Sequence, residues 1–333
     1  MVSIFSVCGY SVLAIISVHH GVKHWIDRME NRYYDLNTYF RERFGCRVQK
    51  ITVDAGLTCP NRDGTLSTGG CIYCNARGSG TGAYSHGFSI AQQLLRGKES
   101  LAKRYQAKKF IAYFQSFTNT YAPPSRLRAF WEEAFSIPDV VGVSVGTRPD
   151  CIDEAVLDLL DHFSQRGLVW VEYGLQSVHD VTLNRIRRGH DFRCFEQAVE
   201  ATRKRNLNIC AHVILGLPGE SREDMLETAR VVGQMDIQGI KLHLLYVVKG
   251  TELARIYQRG AYRCLEQREF AEIVCRFLEL IPRQMVIQRL TGDPHPRELL
   301  APAWSLRKSE TLHLIKKRLE EENSWQGKLY SKD

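Results

Sequence analysis

From residue 48 onward, the sequence alternates short β-branched apolar runs with longer segments of helical periodicity. This alternation is typical of consecutive βα units, whose parallel strands are buried on both faces and read as near-continuous apolar runs. The predicted strands are residues 48–54, 109–115, 140–146, 168–176, 208–216 and 240–248. The predicted helices between them are residues 89–105, 125–136, 153–166, 194–206 and 221–235, with start signals at Ser125, Asp153 and Ser221.

Six βα units are too few for a closed eight-stranded barrel. The sequence therefore predicts an α/β fold that is either a partial (β/α)6 TIM-like barrel or an open α/β sheet, and both place functional residues at the carboxyl ends of the strands. We expect residues 29–260 to form this core. Residues 261–333 contain further helices and a strand-like run at 285–290, and we expect a helical C-terminal extension packed on the barrel.

The first 28 residues differ in character from the rest of the chain. Residues 2–18 carry no charge. They are short for a membrane span of about 20 residues and lack the basic start of a signal peptide. An amphipathic segment begins at Met29. We therefore expect residues 1–28 to be an extension or a misassigned start, with a membrane anchor as the alternative, and we expect no membrane partner.

Composition limits the class of protein. With 44% hydrophobic and 25% charged residues in 333, the chain can bury a core, which excludes intrinsic disorder. A net charge of +8 is compatible with a polyanionic partner and equally with ordinary surface charge. Ten cysteines are too few for a disulfide scaffold, and five lie singly in apolar segments: Cys151, Cys194, Cys210, Cys264 and Cys275. They indicate reduced core thiols in a cytoplasmic protein.

Three further cysteines, Cys59, Cys71 and Cys74, follow the first predicted strand in a glycine-rich loop with the spacing C-x11-C-x2-C. Soft thiolates suit zinc or an iron–sulfur cluster. A structural zinc site needs four protein ligands, and neither Cys46 nor His86 is placed to be the fourth. Three ligands and one open position favour a reactive [4Fe-4S] cluster, with a zinc loop as the alternative.

This loop resembles that of the radical S-adenosylmethionine (radical SAM) superfamily, in the widely spaced form found in the Elongator catalytic subunit. A closer resemblance, to the bacterial YhcC/YtqA-like family, rests on six segments in matching order. They are CPNRDGTLSTGGCIYCN, YFQSFTNTYAP, VGTRPDCI, EYGLQSVHDVTLNRIRRGHD, HVILGLPGES and GIKLHLLYVVKGT. The resemblance covers about residues 45–255, and LLAPAW at 299–304 extends it.

The resemblance implies that Cys59, Cys71 and Cys74 bind a [4Fe-4S] cluster whose fourth iron binds S-adenosylmethionine (SAM). It also implies cofactor contacts at Gln115, Ser116, Thr118, Thr147, Arg148, Glu172, Gln176, Arg188, His212 and Gly216. The chain departs from its relatives in lacking a Gly-Gly-Glu-like turn after the second strand. It also has Gly146 where they often have Glu, and His212 where they have Asp. The acidic role then falls to Glu172.

Three of these residues have ordinary structural alternatives. Glu172 could form an internal ion pair with Arg148 or Arg188, since an unpaired carboxylate is costly to bury. His212 could be a hydrogen-bonded core histidine. Gly216 could belong to an ordinary Pro-Gly turn.

The resemblance implies an enzyme that uses one electron, from a partner such as flavodoxin or ferredoxin, to cleave SAM to a radical that abstracts hydrogen from its substrate. It further implies tRNA modification, in which the 5-carboxymethylaminomethyl group of wobble uridine is reworked toward the aminomethyl form. The basic stretches 96–109 and 184–193, with Tyr105, Phe110 and Phe192 nearby for stacking, fit an RNA partner, although such residues are more often only solvated.

Two other classes of function stay open from the sequence. One is a radical SAM oxidoreductase acting on a small metabolite, and the other is a non-enzymatic metal-binding protein. No residue is assigned a catalytic role.

Overall fold

The computed structural model describes residues 32–76, 78, 83 and 86–332, and the predicted N-terminal extension lies outside them. The strands are β1 (Val48–Val53), β2 (Lys109–Phe114), β3 (Val140–Thr147), β4 (Leu168–Gln176), β5 (Asn208–Leu215), β6 (Gly239–Leu244), β7 (Val247–Val248), β8 (Val286–Arg289) and β9 (Leu299–Ala301). The α-helices are α1 (Leu36–Phe44), α2 (Ile90–Tyr105), α3 (Pro124–Phe135), α4 (Glu154–Ser164), α5 (Asp180–Arg185), α6 (Phe192–Arg203), α7 (Arg222–Gln234), α8 (Glu252–Gln258), α9 (Gln267–Leu280) and α10 (Lys308–Glu321). Within these residues, no helix combines the length and the apolarity that a bilayer crossing requires.

Seven of the strands form one curled parallel sheet in the order β1-β2-β3-β4-β5-β6-β8. Each strand from β1 to β6 lies beside the next one in sequence, whereas a doubly wound sheet reverses its strand order at a switch point. This order confirms the predicted partial TIM-like barrel. The sequence predicts the run at 285–290 only as an isolated strand, but in the structure β8 pairs with β6, with Val286 opposite Gly239, and extends the sheet.

The strand β6 alternates polar and apolar residues. In β6, Ile240 and Leu242 are buried in the main core, whereas Lys241 and His243 line a cavity on the other face. Successive side chains of a strand point to opposite faces, so β6 presents apolar residues to the core and polar residues to the cavity. The strands β2, β3 and β4 are buried along nearly their whole length, as the prediction of a parallel sheet covered on both faces requires.

The helix starts follow local capping chemistry. Asp153 caps α4, and Ser221 caps α7 in a capping box with Asp224, as the sequence predicts. The third predicted signal, Ser125, is wrong: α3 already begins at Pro124, because proline is well accommodated in the first turn of a helix.

Apolar residues close the sheet at the end where its strands begin. Tyr39 of α1 lies edge-on against Trp170 of β4, with ring centroids 5.6 Å apart. Phe40 of α1 belongs to the same apolar cluster as Val48 and Ile111, which lie near the amino ends of β1 and β2. The helix α1 therefore covers the amino ends of the strands and leaves the carboxyl ends for the site.

The isolated cysteines behave largely as predicted. Cys210, Cys264 and Cys275 are buried, and Cys151 and Cys194 are half-buried. All five are free thiols, which agrees with the prediction of reduced thiols in the core of the protein.

Candidate active site

A cavity of about 880 Å³ occupies the concave side of the sheet. It is lined by residues of β1 to β6 and β8, by the loops after β1, β2 and β4, and by residues 293–298 of the C-terminal extension. Sites for small molecules and cofactors typically measure roughly 300–1,000 Å³. The cavity is therefore large enough for a cofactor together with part of a substrate.

The three clustered cysteines lie on one wall of this cavity. Cys59 and Cys71 are buried and Cys74 is half-buried, and all three contribute to the lining. The buried Asn61 holds the loop: its Nδ2 donates to the backbone carbonyl of Arg187 at 2.8 Å and lies 3.5 Å from Cys71 Sγ. Asn61 thus sets the position of the Cys71 thiol relative to the loop that follows β4.

The three thiols are not gathered at the spacing of a closed zinc site. Tetrahedral zinc, with Zn–S bonds of about 2.3 Å, holds its sulfur ligands roughly 3.8 Å apart. In the part of the chain that the structure describes, the sulfurs of Cys59, Cys71 and Cys74 do not all lie within 4.8 Å of one another. A wider spacing is compatible with a [4Fe-4S] cluster, since each cysteine then binds a different iron.

Burial keeps the Cys74 thiol from ionising on its own. Burial, together with repulsion from Cys71, raises the pKa of the Cys74 thiol to about 11. Metal ions bind thiolates and displace their protons. Cys74 is therefore suited to binding a metal and poorly suited to acting as a free nucleophilic thiolate.

The segment after β2 brings two unpaired polar atoms to the cavity. Asn119 Nδ2 donates to the backbone carbonyls of Ser116 (2.8 Å) and Gly146 (3.0 Å), which fixes the amide orientation and leaves Oδ1 as an acceptor. Among the described residues, neither Asn119 Oδ1 nor Thr118 Oγ1 has a hydrogen-bond partner, although both atoms are buried and both residues line the cavity. Because an unmatched buried acceptor is costly, these atoms could hold the amino group of a ligand such as SAM.

Two buried arginines brace the wall that carries the thiols. Arg148 forms a bidentate pair with Asp150, at 2.8 and 2.6 Å, and donates to the backbone carbonyl of Arg188 at 2.8 Å. Arg188 donates to the carbonyl of Gly174 at 2.6 Å, and its Nη1 lies 3.7 Å from Cys71 Sγ. Arg188 therefore places a positive charge beside a thiol, where it would stabilise the negative charge of a thiolate-bound cluster.

Glu172 lies at the floor of the cavity. Its carboxylate is fully buried; Lys50 binds Oε1 at 2.6 Å, while Lys241 and His212 bind Oε2, the histidine through Nε2 at 2.8 Å. The alternative in which Glu172 pairs with Arg148 or Arg188 is therefore wrong. The two arginines have other partners, and Lys50 and Lys241 supply the counter-charge. His212 is hydrogen-bonded, as one of its two predicted roles requires.

The floor has a definite protonation state near neutral pH. Burial alone would raise the pKa of Glu172, but Lys241 and Lys50 outweigh it and hold that pKa well below its usual range. Burial lowers the pKa of Lys50 to about 8, and burial together with Lys241 lowers the pKa of His212 to about 4. Glu172 is therefore ionised, Lys50 is charged and His212 is neutral.

The depressed pKa of His212 predicts a loss of stability in acid. The unfolded histidine takes up a proton below about pH 6.5, whereas the folded one resists until about pH 4. The unfolded state thus binds more protons in this window, so the free energy of unfolding falls as the pH drops through it. Between pH 7 and 4.5, urea unfolding should show His212→Gln losing about 2 kcal/mol less than the wild type. The exposed His313→Gln is the control, and equal losses in all three proteins would contradict the prediction.

Most of the cofactor contacts predicted from the sequence lie in this cavity. The lining residues among them are Gln115, Thr118, Thr147, Arg148, Glu172, Gln176, Arg188 and His212. Ser116 is buried outside the lining, and Gly216 lines a separate pocket of about 380 Å³. The carbonyl of Gly216 accepts a hydrogen bond from Tyr262 OH at 2.8 Å, as an ordinary turn residue would.

Several residues of the cavity are missed by sequence reasoning. Lys50 and Lys241 lie inside buried strands, and a charged residue at alternate spacing with apolar ones is the signal that could have identified them. Asn61 directly follows the Cys59-Pro60 pair, and no spacing rule marks it. Asn119 lies one residue beyond the predicted contact Thr118, in a segment where the chain departs from its relatives.

The C-terminal extension completes the wall beside the cysteine loop. Asn75, next to Cys74, donates to Glu298 Oε2 at 2.8 Å. The strand β9, which follows Glu298, pairs antiparallel with β7. The extension is thus part of the cavity as well as of the sheet.

Comparison with known proteins agrees with this architecture. Residues 63–232 match the Radical SAM superfamily, and residues 237–321 match the Radical_SAM C-terminal domain. The chain is similar to the uncharacterized protein YtqA of Bacillus subtilis, with 43% identity over 303 residues, which cover 91% of this chain and 94% of YtqA. It is also similar to protein YhcC of Escherichia coli, with 41% identity over 263 residues, covering 79% and 84% of the two chains.

A solved structure supports the fold independently of close sequence identity. Elp3 of the archaeon Methanocaldococcus infernus, in a form with an N-terminal deletion, superposes with a TM-score of 0.62 at 18% identity. The match covers 84% of this chain and 64% of the Elp3 chain. The cofactors of the matched superfamily, a [4Fe-4S] cluster and SAM, are accordingly the cofactors of this protein, as predicted. The chain belongs to the radical SAM superfamily and, within it, to the family of YtqA and YhcC.

Proposed function

We propose that this protein is a radical SAM enzyme that modifies the C5 side chain of wobble uridine in tRNA, reworking the 5-carboxymethylaminomethyl group toward the aminomethyl form. The observation that carries the proposal is a set of exposed cations, without carboxylate partners, beside the cavity. The similarity to Elp3 and the family resemblance set out from the sequence point the same way.

These cations are Arg187, Lys249 and Arg297. The backbone carbonyl of Arg187 binds Asn61 in the cysteine loop, and Lys249 Nζ donates to the carbonyl of Arg297, next to the cavity residue Glu298. Across the described part of the chain, none of the three has a carboxylate within 4.0 Å. Exposed cations without internal counter-charges are suited to phosphates of an RNA backbone.

Two cations elsewhere on the surface serve as references, because their charge is neutralised within the protein. Lys204 pairs with Glu200 at 3.1 Å, and Arg230 pairs with Glu223 at 2.7 Å.

Only one of the two basic stretches predicted from the sequence lies on this side. Residues 184–193 follow β4 and include Arg188 of the cavity lining, whereas residues 96–109 form most of α2 and lead into the amino end of β2. The expectation that Phe110 stacks on RNA is wrong, because Phe110 is a buried residue of β2. Phe192 is half-buried and packs against Phe195, with ring centroids 6.1 Å apart.

Different residues of the cavity would position the cluster and SAM. When bound, the [4Fe-4S] cluster and SAM supply the radical that abstracts hydrogen from the substrate. Cys59, Cys71 and Cys74 would hold the cluster, and Asn119 Oδ1 would accept a hydrogen bond from the amino group of SAM. The closed amino end of the sheet excludes water from the cavity floor.

Gly174→Ala tests the wall that faces SAM. An added Cβ would lie 2.6 Å from Arg188 Nη2 and 2.7 Å from Gln176 Nε2, so these two proposed SAM contacts must move. We expect the Kd for SAM, measured by equilibrium binding to the reconstituted protein, to rise roughly ten-fold or more. Gly69→Ala, where a Cβ meets nothing within 4 Å, is the control in the cysteine loop. Unchanged affinity in Gly174→Ala would show that this wall does not bind SAM.

The proposed reaction is tested with anaerobically reconstituted enzyme, SAM, a reductant and tRNA that carries the 5-carboxymethylaminomethyl group. Nucleoside analysis should show the aminomethyl form appearing together with 5′-deoxyadenosine. Lys249→Glu and Arg297→Glu should weaken tRNA binding and reduce its salt slope, each by about one unit, whereas Lys204→Glu should not. Equal turnover of the free nucleoside and the tRNA would instead favour a small-metabolite enzyme.

A further inference from the structure

The floor of the cavity holds more positive than negative charge. Two ammonium groups, of Lys50 and Lys241, share the single carboxylate of Glu172. The side chain of Lys50 is 13% exposed, that of Lys241 5% and that of Glu172 0%. The floor therefore carries one uncompensated positive charge in a nearly dry environment.

Neighbouring groups do not supply the missing negative charge. His212 is neutral at physiological pH, and the ring face of Tyr113 lies 4.0 Å from Lys241 Nζ and 5.1 Å from Lys50 Nζ, measured to the ring centroid. Arg289 also lines the cavity and adds positive charge. A buried charge without a counter-charge is costly, so this arrangement favours an anionic ligand.

Unused hydrogen-bond donors point to the same conclusion. Gln288 Oε1 accepts from Lys50 Nζ at 2.6 Å, which fixes the amide and leaves Nε2 as a donor. Within the described residues, Gln288 Nε2 is buried and has no hydrogen-bond partner. Lys241 has three donors, of which one is used by Glu172. The floor thus offers directed donors as well as charge.

A metal cation is a poor occupant of the same place. Glu172, Cys210 and His212 each place one potential metal-ligand atom within 4.8 Å of the others, a spacing that could hold a cation. However, the carboxylate is already bound by Lys50 and Lys241, and a cation would be repelled by both. The charge of the floor selects an anion.

The floor is also distinct from the place expected for the cluster. Lys241 is the third residue of β6 and Lys50 the third of β1, whereas Cys59 lies six residues beyond the end of β1. The floor is therefore nearer the amino ends of the strands, on the far side of the cavity from the loops that carry the cysteines.

We propose that this floor binds a carboxylate group of the substrate, held by Lys241, Lys50 and Gln288. The inference rests on the proposed function, since the 5-carboxymethylaminomethyl group ends in a carboxylate, and it assigns that carboxylate a binding site. It also explains why two lysines lie inside strands whose other face is apolar.

The test compares a carboxylate with its neutral amide in the reconstituted holoenzyme with SAM bound. The probes are 5-carboxymethylaminomethyluridine and its amide, and N-methylglycine and N-methylglycinamide, which reproduce the end of the side chain without uridine. The wild type should bind each acid at least ten-fold more tightly than its amide. Lys241→Met and Gln288→Glu should lose this preference, and the surface variant Lys204→Met should keep it.

Gln288→Glu keeps the test independent of folding, because it is isosteric and places a second carboxylate beside Lys50. The added carboxylate should cancel the uncompensated positive charge of the floor. The Tm of this variant should be no lower than that of the wild type. Equal binding of acid and amide by the wild type, or a preference that survives in both floor variants, would overturn the inference. So would an equal loss of SAM affinity in Gln288→Glu, because the floor would then hold the carboxylate of SAM.

The same measurements separate this inference from the proposed function. Conversion of tRNA with no acid preference would retain the function and reject the carboxylate site. An acid preference for N-methylglycine that is lost in Gln288→Glu, without any conversion of tRNA, would retain the site and reject the function.

Discussion

Replacing Cys71 by alanine is expected to reduce SAM cleavage by more than about 100-fold, and with it the iron content and brown colour of the reconstituted protein. Loss of even a residue that supports a metal ligand typically costs 10- to 100-fold, so loss of a proposed ligand should cost more. Cys71 is buried, faces the cavity, and has Asn61 Nδ2 and Arg188 Nη1 within 3.5 and 3.7 Å of its sulfur.

The matched control is Cys194→Ala, which removes a half-buried thiol on α6, away from the cavity lining. It should retain iron and cleavage activity. Iron content, absorbance of the cluster and 5′-deoxyadenosine formation are measured on the same anaerobic preparations. Cleavage at the wild-type rate in Cys71→Ala, or an equal loss in Cys194→Ala, would remove Cys71 from the cluster.

Five of the six predicted strands match β1 to β5 to within one residue, because each is a short run of mainly apolar residues. The sixth, predicted at residues 240–248, is wrong at its end, since β6 ends at Leu244 and Val247–Val248 form the separate strand β7. Helix starts were less regular: α6 begins at Phe192 instead of residue 194, because the side chain of Asp191 accepts the amide of Cys194 and caps the helix earlier. The pairing of β8 with β6 could not be predicted. Its four residues are compatible with any sheet edge, and their partner is set by the packing of the C-terminal extension.

The cysteine loop could be predicted from spacing and resemblance because its residues are close in sequence. The floor could not, since Glu172 meets Lys50 across 122 residues and Lys241 across 69, and only the curl of the sheet brings them together. Glu172 was correctly identified as a residue that needs a partner, because a buried carboxylate always does. The register between the strands determines which cation is the partner. Glu172 of β4 lies opposite Cys210 of β5, and His212 of β5 lies opposite Lys241 of β6.

Glu172→Gln is expected to lower the free energy of unfolding by about 3–5 kcal/mol, since removing one partner of a buried ion pair leaves the other charges uncompensated. Here two ammonium groups lose their only carboxylate. The control Glu200→Gln breaks the exposed pair with Lys204 and should cost less than about 1 kcal/mol. Urea unfolding at pH 7 measures both variants. A cost for Glu172→Gln as small as that of the control would show that the lysines have another counter-charge.

A double-mutant cycle identifies the source of that cost. If it arises from unpaired ammonium groups, Lys241→Met should be much less destabilising on the Glu172→Gln background than alone, because it then removes a charge that is already uncompensated. Additive effects would instead indicate that the two side chains contribute by packing. The cycle needs no cofactor, so it tests the electrostatics of the floor separately from catalysis.

The same substitution should act in the opposite direction on ligand binding. Glutamine at position 172 removes the internal competitor for Lys50 and Lys241, so the Kd of the carboxylate probe N-methylglycine should fall while the Kd of its amide stays constant. Because a ligand that binds only the folded state stabilises it, saturating N-methylglycine should restore part of the lost stability in Glu172→Gln and less in the wild type. A residue with a purely structural role would lower stability without tightening carboxylate binding. Opposite changes in stability and affinity would therefore show that Glu172 competes with a substrate carboxylate for the charge of Lys50 and Lys241.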